Sequence, residues 1–356
     1  MSTTRALQIT YPWTKIPLLA SAPMLNIASA PLAVSVSAAG GLGFLAGGFD
    51  VSSLESNLGE VVQLIKQSNS PAQQNYAASG ILPVGVGFLN WGADLPRSIA
   101  AIANYRPCAV WFFGPKTIPE DLRPWFEQVR AVTDCKTKIW VQVGTVSEAV
   151  AVAESLSPDV LVVQGSDAGG HGLAKSASII TLVPEVKDAL EARQLKDHIP
   201  IIAAGGIVDG RGLAASLVLG ASGAVMGTRF LASSEARIAR GYQDEVLRAS
   251  DGGVSTVRST VYDRVRGILS WPSRYDGRGV INQTYIDAVE RGMSDEENKA
   301  LYEEELKKGD SGWGPNARLT TYAGTGLGLV REILPAADIV ANVIREAEST
   351  LHGLKV

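Results

Sequence analysis

Residues 158–172 read PDVLVVQGSDAGGHG. The run 160–163 has the length and β-branched content of a buried strand. It ends at Gln164 and opens into a loop that holds Gly165, Gly169 and Gly170 ahead of His171 and Gly172. Glycines this dense allow backbone with φ > 0, or let a ligand approach to contact distance. Imidazole titrates near neutral pH, so a histidine in such a loop can exchange a proton with a bound small molecule. An ordinary strand-to-helix turn with a surface histidine fits these residues equally well, and the surrounding chain decides between the two.

That chain repeats one unit: an apolar strand, a glycine-containing loop, a helix. The pattern predicts strands over 16–20, 42–46, 82–88, 109–113, 138–143, 160–163, 199–203 and 224–226. Helices are expected over 30–39, 51–67 (Ser52 or Ser53 as N-cap), 95–104, from Pro119 onward, and over 146–156, 181–193 (Pro184 in the first turn), 210–219 and 234–250. Strands apolar along their whole length are covered on both faces, which calls for an α/β fold; a doubly wound open sheet is the competing layout, and eight such units favour a closed (βα)8 TIM barrel. Residues 1–250 are read as that barrel. Residues 251–322, richer in Gly, Arg, Asp and Trp, are read as an inserted substrate-side segment with an acidic helix around 294–308. Residues 323–356 are read as a C-terminal helical segment, with Pro335 near the start of its helix, that completes the barrel.

A barrel gathers its chemistry on the loops that follow the strands. His198 precedes the seventh strand, on the opposite face, and His352 lies in the terminal tail, so His171 is the histidine placed to meet a ligand. The loops after strands seven and eight, the usual phosphate site of this fold, read Ala204-Gly205-Gly206 and Gly227-Thr228. Their N–H groups, the Thr228 hydroxyl and the positive end of a helix beginning near Gly210 suit a bound phosphate. Arg229 either reaches that phosphate or pairs with a neighbouring acid.

The bulk numbers narrow the partners. The chain has 356 residues, 46% hydrophobic, and a formal charge of −4, so no broad basic field exists to hold nucleic acid. Cys108, read as a buried apolar residue, and Cys135 lack both metal-ligand spacing and the numbers for a disulfide framework. The opening MSTTRALQITYPW has no signal-peptide pattern, and no stretch approaches the ~18 apolar residues of a membrane span. A cytoplasmic protein is expected, with no metal and no membrane partner; assembly as a homo-oligomer is compatible with the sequence.

The strings APM (22–24), GGLGFLAGG (40–48), VVQGSDAGGHG (162–172), AAGGIVDGRGL (203–213) and GAVMGTRFL (223–231) resemble the nitronate monooxygenases, formerly 2-nitropropane dioxygenases, with a weaker echo at 323–328. The resemblance implies a TIM barrel that binds FMN non-covalently. Carried over by position, the cofactor contacts fall on Met24 under the ring, Gly87, Gln142, Gln164, Gly169 and Gly170. The phosphate falls on Gly205, Gly206 and the turn Val225, Met226, Gly227 and Thr228. His171 matches the catalytic histidine. Two positions depart from the pattern: Gly87 stands where relatives often have Asn, and Gln142 where some have Lys.

The reaction implied is oxidative denitrification of an alkyl nitronate with O2, giving a carbonyl compound and nitrite. His171 would serve as base toward a neutral nitroalkane and as a holder of the anion toward a nitronate. Trp271, Tyr275, Trp313 and Tyr322 are candidate pocket walls, with core packing an equal alternative. Two other functions share these motifs: an FMN-dependent NAD(P)H enoyl-thioester reductase, whose AGGH loop is very similar, and a non-catalytic flavin-binding barrel. A nucleotide dehydrogenase of the inosine-monophosphate type would need a cysteine after strand six, and that loop has none.

Overall fold

The computed structural model describes residues 3–195 and 199–353. Its strands are β1 Leu18–Ser21, β2 Phe44–Gly48, β3 Leu82–Leu89, β4 Pro107–Phe113, β5 Lys138–Val143, β6 Val160–Gln164, β7 Gly170–Leu173, β8 Ile201–Ala204, β9 Gly223–Met226, β10 Thr256–Ser259 and β11 Tyr275–Val280. Eight pair in parallel in the order β1-β9-β8-β6-β5-β4-β3-β2. A parallel bridge from Ala20 to Leu42 joins the two ends of that order. The result is a TIM barrel, as the repeat predicts.

Alternation along the strands fills its interior. On β5, Trp140 and Gln142 are two residues apart and so share a face. Trp140 packs with Phe44 and Trp111, ring centroids 5.1 and 6.0 Å away. Gln142, two residues nearer the strand's C-terminal end, accepts a hydrogen bond from Trp111 Nε1 at 3.1 Å. On the opposite side Trp140 Nε1 donates to the buried Tyr11 hydroxyl at 2.8 Å. Tyr11 follows a helix, Thr3–Thr10, that the sequence reading did not identify.

Several boundaries differ from the expected ones, each for a local reason. Residues 71–79 form a helix in which Ser70 caps Gln73 N, Pro71 sits in the first turn and Gly80 ends it at φ +69°. Its capping signals were present, but PAQQNYAAS carries no apolar period to announce a helix. The helix predicted from residue 51 begins at Leu54, and the side chain of Ser53 makes no cap bond. After Pro119 a short 3-10 turn, Glu120–Leu122, precedes the helix Arg123–Thr133. The helix Ile179–Ala192 starts earlier than read, which moves Pro184 beyond the first turn.

The largest correction is the expected helix over 234–250, which is confined to Arg240–Arg248. Residues before it are held by tertiary bonds instead. Glu235 accepts from Ser35 Oγ at 2.8 Å and from Ala336 N at 2.9 Å, and Arg237 N donates to Ile27 O at 3.2 Å. The eighth outer position is taken by Ala336–Gly353, which packs against both Ala30–Ala38 and Gly210–Val218. Everything between β9 and that helix is therefore an excursion above the barrel. It contains the acidic helix Asp295–Leu306, opened by a capping box between Ser294 and Glu297. It also supplies β10 and β11, which form an antiparallel sheet with β7.

His198 lies outside the described residues. His352, read as tail, is in the last turn of the final helix, and its ring nitrogen pairs with Glu348 O at 2.7 Å. Cys108 is buried and Cys135 exposed. Among the described residues no helix is long and apolar enough to cross a membrane.

Candidate active site

The strand ends surround a cavity of about 720 Å³. Met24, Gly87, Gln142, Gln164, Gly169, Gly170, His171, Gly205, Gly206, Val225, Gly227 and Thr228 all line it. Met226 does not. It is fully buried, and its carbonyl accepts the Ala22 N–H at 2.9 Å, which anchors the first loop to the last strand.

The turn after β8 runs through Gly205 at φ +103° and Gly206 at φ +75°, a backbone that L side chains rarely adopt. The N–H groups of these two glycines have no acceptor within the described chain. Thr228 Oγ1 accepts the Gly324 N–H at 2.9 Å, which leaves its own proton available to a ligand. Together they form a small anion cradle. The helix Gly210–Val218 is not part of it, contrary to expectation. Its first N–H groups are already taken by carboxylates: Gly210 N donates to Glu346 at 2.7 Å, and Gly212 N to its N-cap Asp209 at 3.1 Å. Arg229 is likewise spent on backbone, donating to the carbonyls of Ala232 and Glu332 at 3.3 and 3.1 Å.

Two glycines in the wall are fixed by space rather than by conformation. A Cβ on Gly87 would overlap the ring of Pro23, and one on Gly169 would overlap the backbone of Ala323 and Gly324. The lack of room beside Pro23 accounts for glycine where the resemblance expects Asn. Gln142 presents the opposite situation. Its Oε1 is bonded to Trp111, but its Nε2 is buried with no partner in the protein. A buried amide left half-bonded in a cavity wall is a donor waiting for an acceptor.

His171 lies on β7, not in a free loop, and pairs with Gly277 of β11. Its Nε2 lies 2.8 and 3.0 Å from the two carboxylate oxygens of Asp263. Trp271 stacks on the ring with centroids 4.0 Å apart and planes 7° apart. Tyr322, its ring 5.3 Å from the imidazole, donates its hydroxyl to Asp263 Oδ1 at 2.8 Å. Burial and the Asp263 charge both push the Tyr322 phenol far above its ordinary range, so it stays a donor. Nδ1 of His171 makes no hydrogen bond and is not sealed from solvent.

The strand that carries His171 is held by a pair of arginines that sequence reasoning did not identify. Arg258 donates to Asp276 O at 2.7 Å and Ala168 O at 2.9 Å, and Arg278 to Ser166 O at 3.2 Å. Burial, then the neighbouring Arg278 charge, lowers the Arg258 guanidinium to about 10. Of the four aromatic candidates, Trp271, Trp313 and Tyr322 line the cavity. Tyr275 stands behind the wall against Phe113 and Trp271, its phenol pushed up to about 12 by burial and by Glu148.

Asp263 was also missed. In STVYDRVRG it is the one acid, set among basic and apolar residues with no catalytic spacing, and its partner is 92 residues away in sequence. The only local signal was an acid between Val261, Tyr262 and Val265, apolar and aromatic neighbours that are all buried.

Chemically the cavity offers an anion cradle, unpaired donors along its wall and one imidazole held by a carboxylate. A family model described as nitronate monooxygenase matches residues 123–346. Nitronate monooxygenase npaC of Metarhizium robertsii is 47% identical over 98% of this chain and 96% of that one. A nitronate monooxygenase of Neurospora crassa is 35% identical over 97% and 93%. Among solved structures, nitroalkane oxidase from Streptomyces ansochromogenes superposes with TM-score 0.73 at 23% identity, covering 98% of this chain and all (100%) of that one. FabK from Thermotoga maritima superposes with TM-score 0.69 at 22%, covering 98% of each. At those identities the two structures speak for the barrel alone. The family model and the two close relatives show that this chain is an enzyme of the nitronate monooxygenase family.

Proposed function

We propose that the protein binds FMN and catalyses the oxidative denitrification of alkyl nitronates with O2, releasing a carbonyl compound and nitrite. One observation carries the reading: unpaired donors from separate strand ends line the same cavity as an imidazole whose Nδ1 is free. The lining fits the cofactor. Gly205, Gly206 and Thr228 suit its phosphate, and the orphaned Gln142 amide suits an acceptor on the flavin edge. Met24, Gly87, Gln164, Gly169, Gly170, Val225 and Gly227 complete the cradle, with Met226 supporting it from behind. Bound FMN supplies electron transfer with the nitronate and with O2.

The chain itself binds, orients and handles the proton. His171 Nδ1 takes the α-proton of a neutral nitroalkane, and the protonated ring holds a nitronate that arrives already ionised. Trp271 stacks on one face of the ring and Tyr322 lies beside it, and together they hold its orientation. In this reading 251–322 is the substrate-side wall, set over the eight parallel strands and their outer helices.

Purified protein showing flavin absorbance, O2 uptake and nitrite release on ethyl nitronate and propionate 3-nitronate is the expected result. Anaerobic bleaching by NADPH with reduction of an enoyl thioester, and no nitrite, would replace this reading with the reductase. Gln142→Leu is expected to weaken FMN binding about five- to tenfold, the worth of one hydrogen bond, as read by fluorescence titration of the apoprotein.

A further inference from the structure

We propose that Asp263 is the positioning residue of the site: it fixes the imidazole of His171 as the Nε2–H tautomer, which makes Nδ1 the atom that meets substrate. The inference rests on the function proposed above for its kinetic arm, and on geometry alone for its spectroscopic arm. Asp263 is 4% exposed, and among the described residues its ion-pair partner is His171. It accepts from Tyr322 on Oδ1 at 2.8 Å and is gripped by Nε2 at 2.8 and 3.0 Å. Arg266, one helical turn on, does not compete for the carboxylate; it lies over the Tyr322 ring, 5.5 Å from the centroid.

A buried carboxylate is costly unless its charge is answered. Tyr322 supplies a hydrogen bond but no charge, so the imidazolium formed when His171 takes a proton is the natural counterion. A carboxylate is acceptor-only, so Nε2 must be the protonated nitrogen of the neutral ring, and Nδ1 keeps the lone pair. The stack of Trp271 at 4.0 Å holds the ring plane, and the Gly277 pairing on β11 holds the strand. Asp263 reaches the ring from the helix Val261–Arg266, within the excursion, so that segment supplies half of the acid–base unit as well as the cavity wall.

The test uses the flavin-loaded protein with 15N-labelled histidine, in wild type, Asp263→Asn, Asp263→Glu and Tyr322→Phe. Wild-type His171 is expected as the Nε2–H tautomer, and Asp263→Asn as a mixture with Nδ1–H. On neutral nitroethane kcat should fall about 100-fold or more in Asp263→Asn, the scale of a general base lost. On ethyl nitronate, where no proton is removed, kcat should change less than about fivefold while KM rises. Asp263→Glu should restore part of the nitroethane rate, and Tyr322→Phe should lie between wild type and Asp263→Asn. An Nδ1–H tautomer in the wild type, or equal losses on both substrates in Asp263→Asn, would overturn the proposal. Were the wild type inactive on all nitro compounds, the functional reading would fail while the tautomer measurement still decided the role of Asp263.

Discussion

His171→Asn is expected to lower turnover of neutral nitroalkanes by about 10²–10⁴-fold, the range for removal of a general base. Turnover of the corresponding nitronates should survive in part. The difference lies in the proton. A nitroalkane must lose one from carbon before it can be oxidised, and Nδ1 of His171 is the ring atom left free to take it. A nitronate needs only to be bound, and asparagine can still donate a hydrogen bond to it. Steady-state rates on nitroethane and ethyl nitronate, with flavin content measured alongside, check this. Equal loss on both substrates would show that His171 serves binding alone.

Gly169→Ala carries the largest expected structural effect. The added methyl would overlap backbone atoms of Ala323 and Gly324, and backbone cannot swing aside as a side chain can. Overpacking of this kind costs about 1–3 kcal/mol, and here it also pushes the loop off the segment that bonds to Thr228. Reduced thermal stability together with loss of bound flavin is expected. The neighbouring Gly170→Ala makes the contrast. Nothing stands within 4 Å of its Cβ, but φ is +66°, so its cost is conformational, about 1–2 kcal/mol, without displacing the loop. Flavin-to-protein ratio and melting temperature for the pair separate the two mechanisms; equal flavin loss in both would contradict the packing account.

The barrel was legible because its signal is local. Strands such as Lys138–Val143 and helices such as Val146–Leu156 fall where the apolar runs and caps put them. The glycine turns were legible for the same reason, since L side chains rarely adopt the φ of Gly205 and Gly206. What failed was non-local. The helix expected over 234–250 lost its first turns because Glu235 is claimed by Ser35 and Ala336, one 200 residues away and the other 101. β7 looked like a loop because GHGL has no strand pattern of its own, and its partner β11 lies about a hundred residues on. The helix at Gly210 looked like a phosphate site because Glu346, which occupies its first N–H, cannot be placed from sequence. Asp263 was hidden in the same way. Side chains that serve a site from a distant segment leave no periodicity behind.

The outer helix that belongs with the eighth barrel strand arrives only after the whole excursion, and Ala323–Gly324 is wedged against Gly169. During synthesis, seven of the strand–helix units are complete by Val218 and can dock before the excursion has been made. The ligand chamber is completed only when residues near 324 emerge, and the ring is sealed later still, by Ala336–Gly353. Until then the nascent barrel exposes an apolar seam between its first and seventh helices, the surface on which chaperones act. Closure of this chamber therefore depends on residues made after seven of the eight units, and does not build up gradually along the chain.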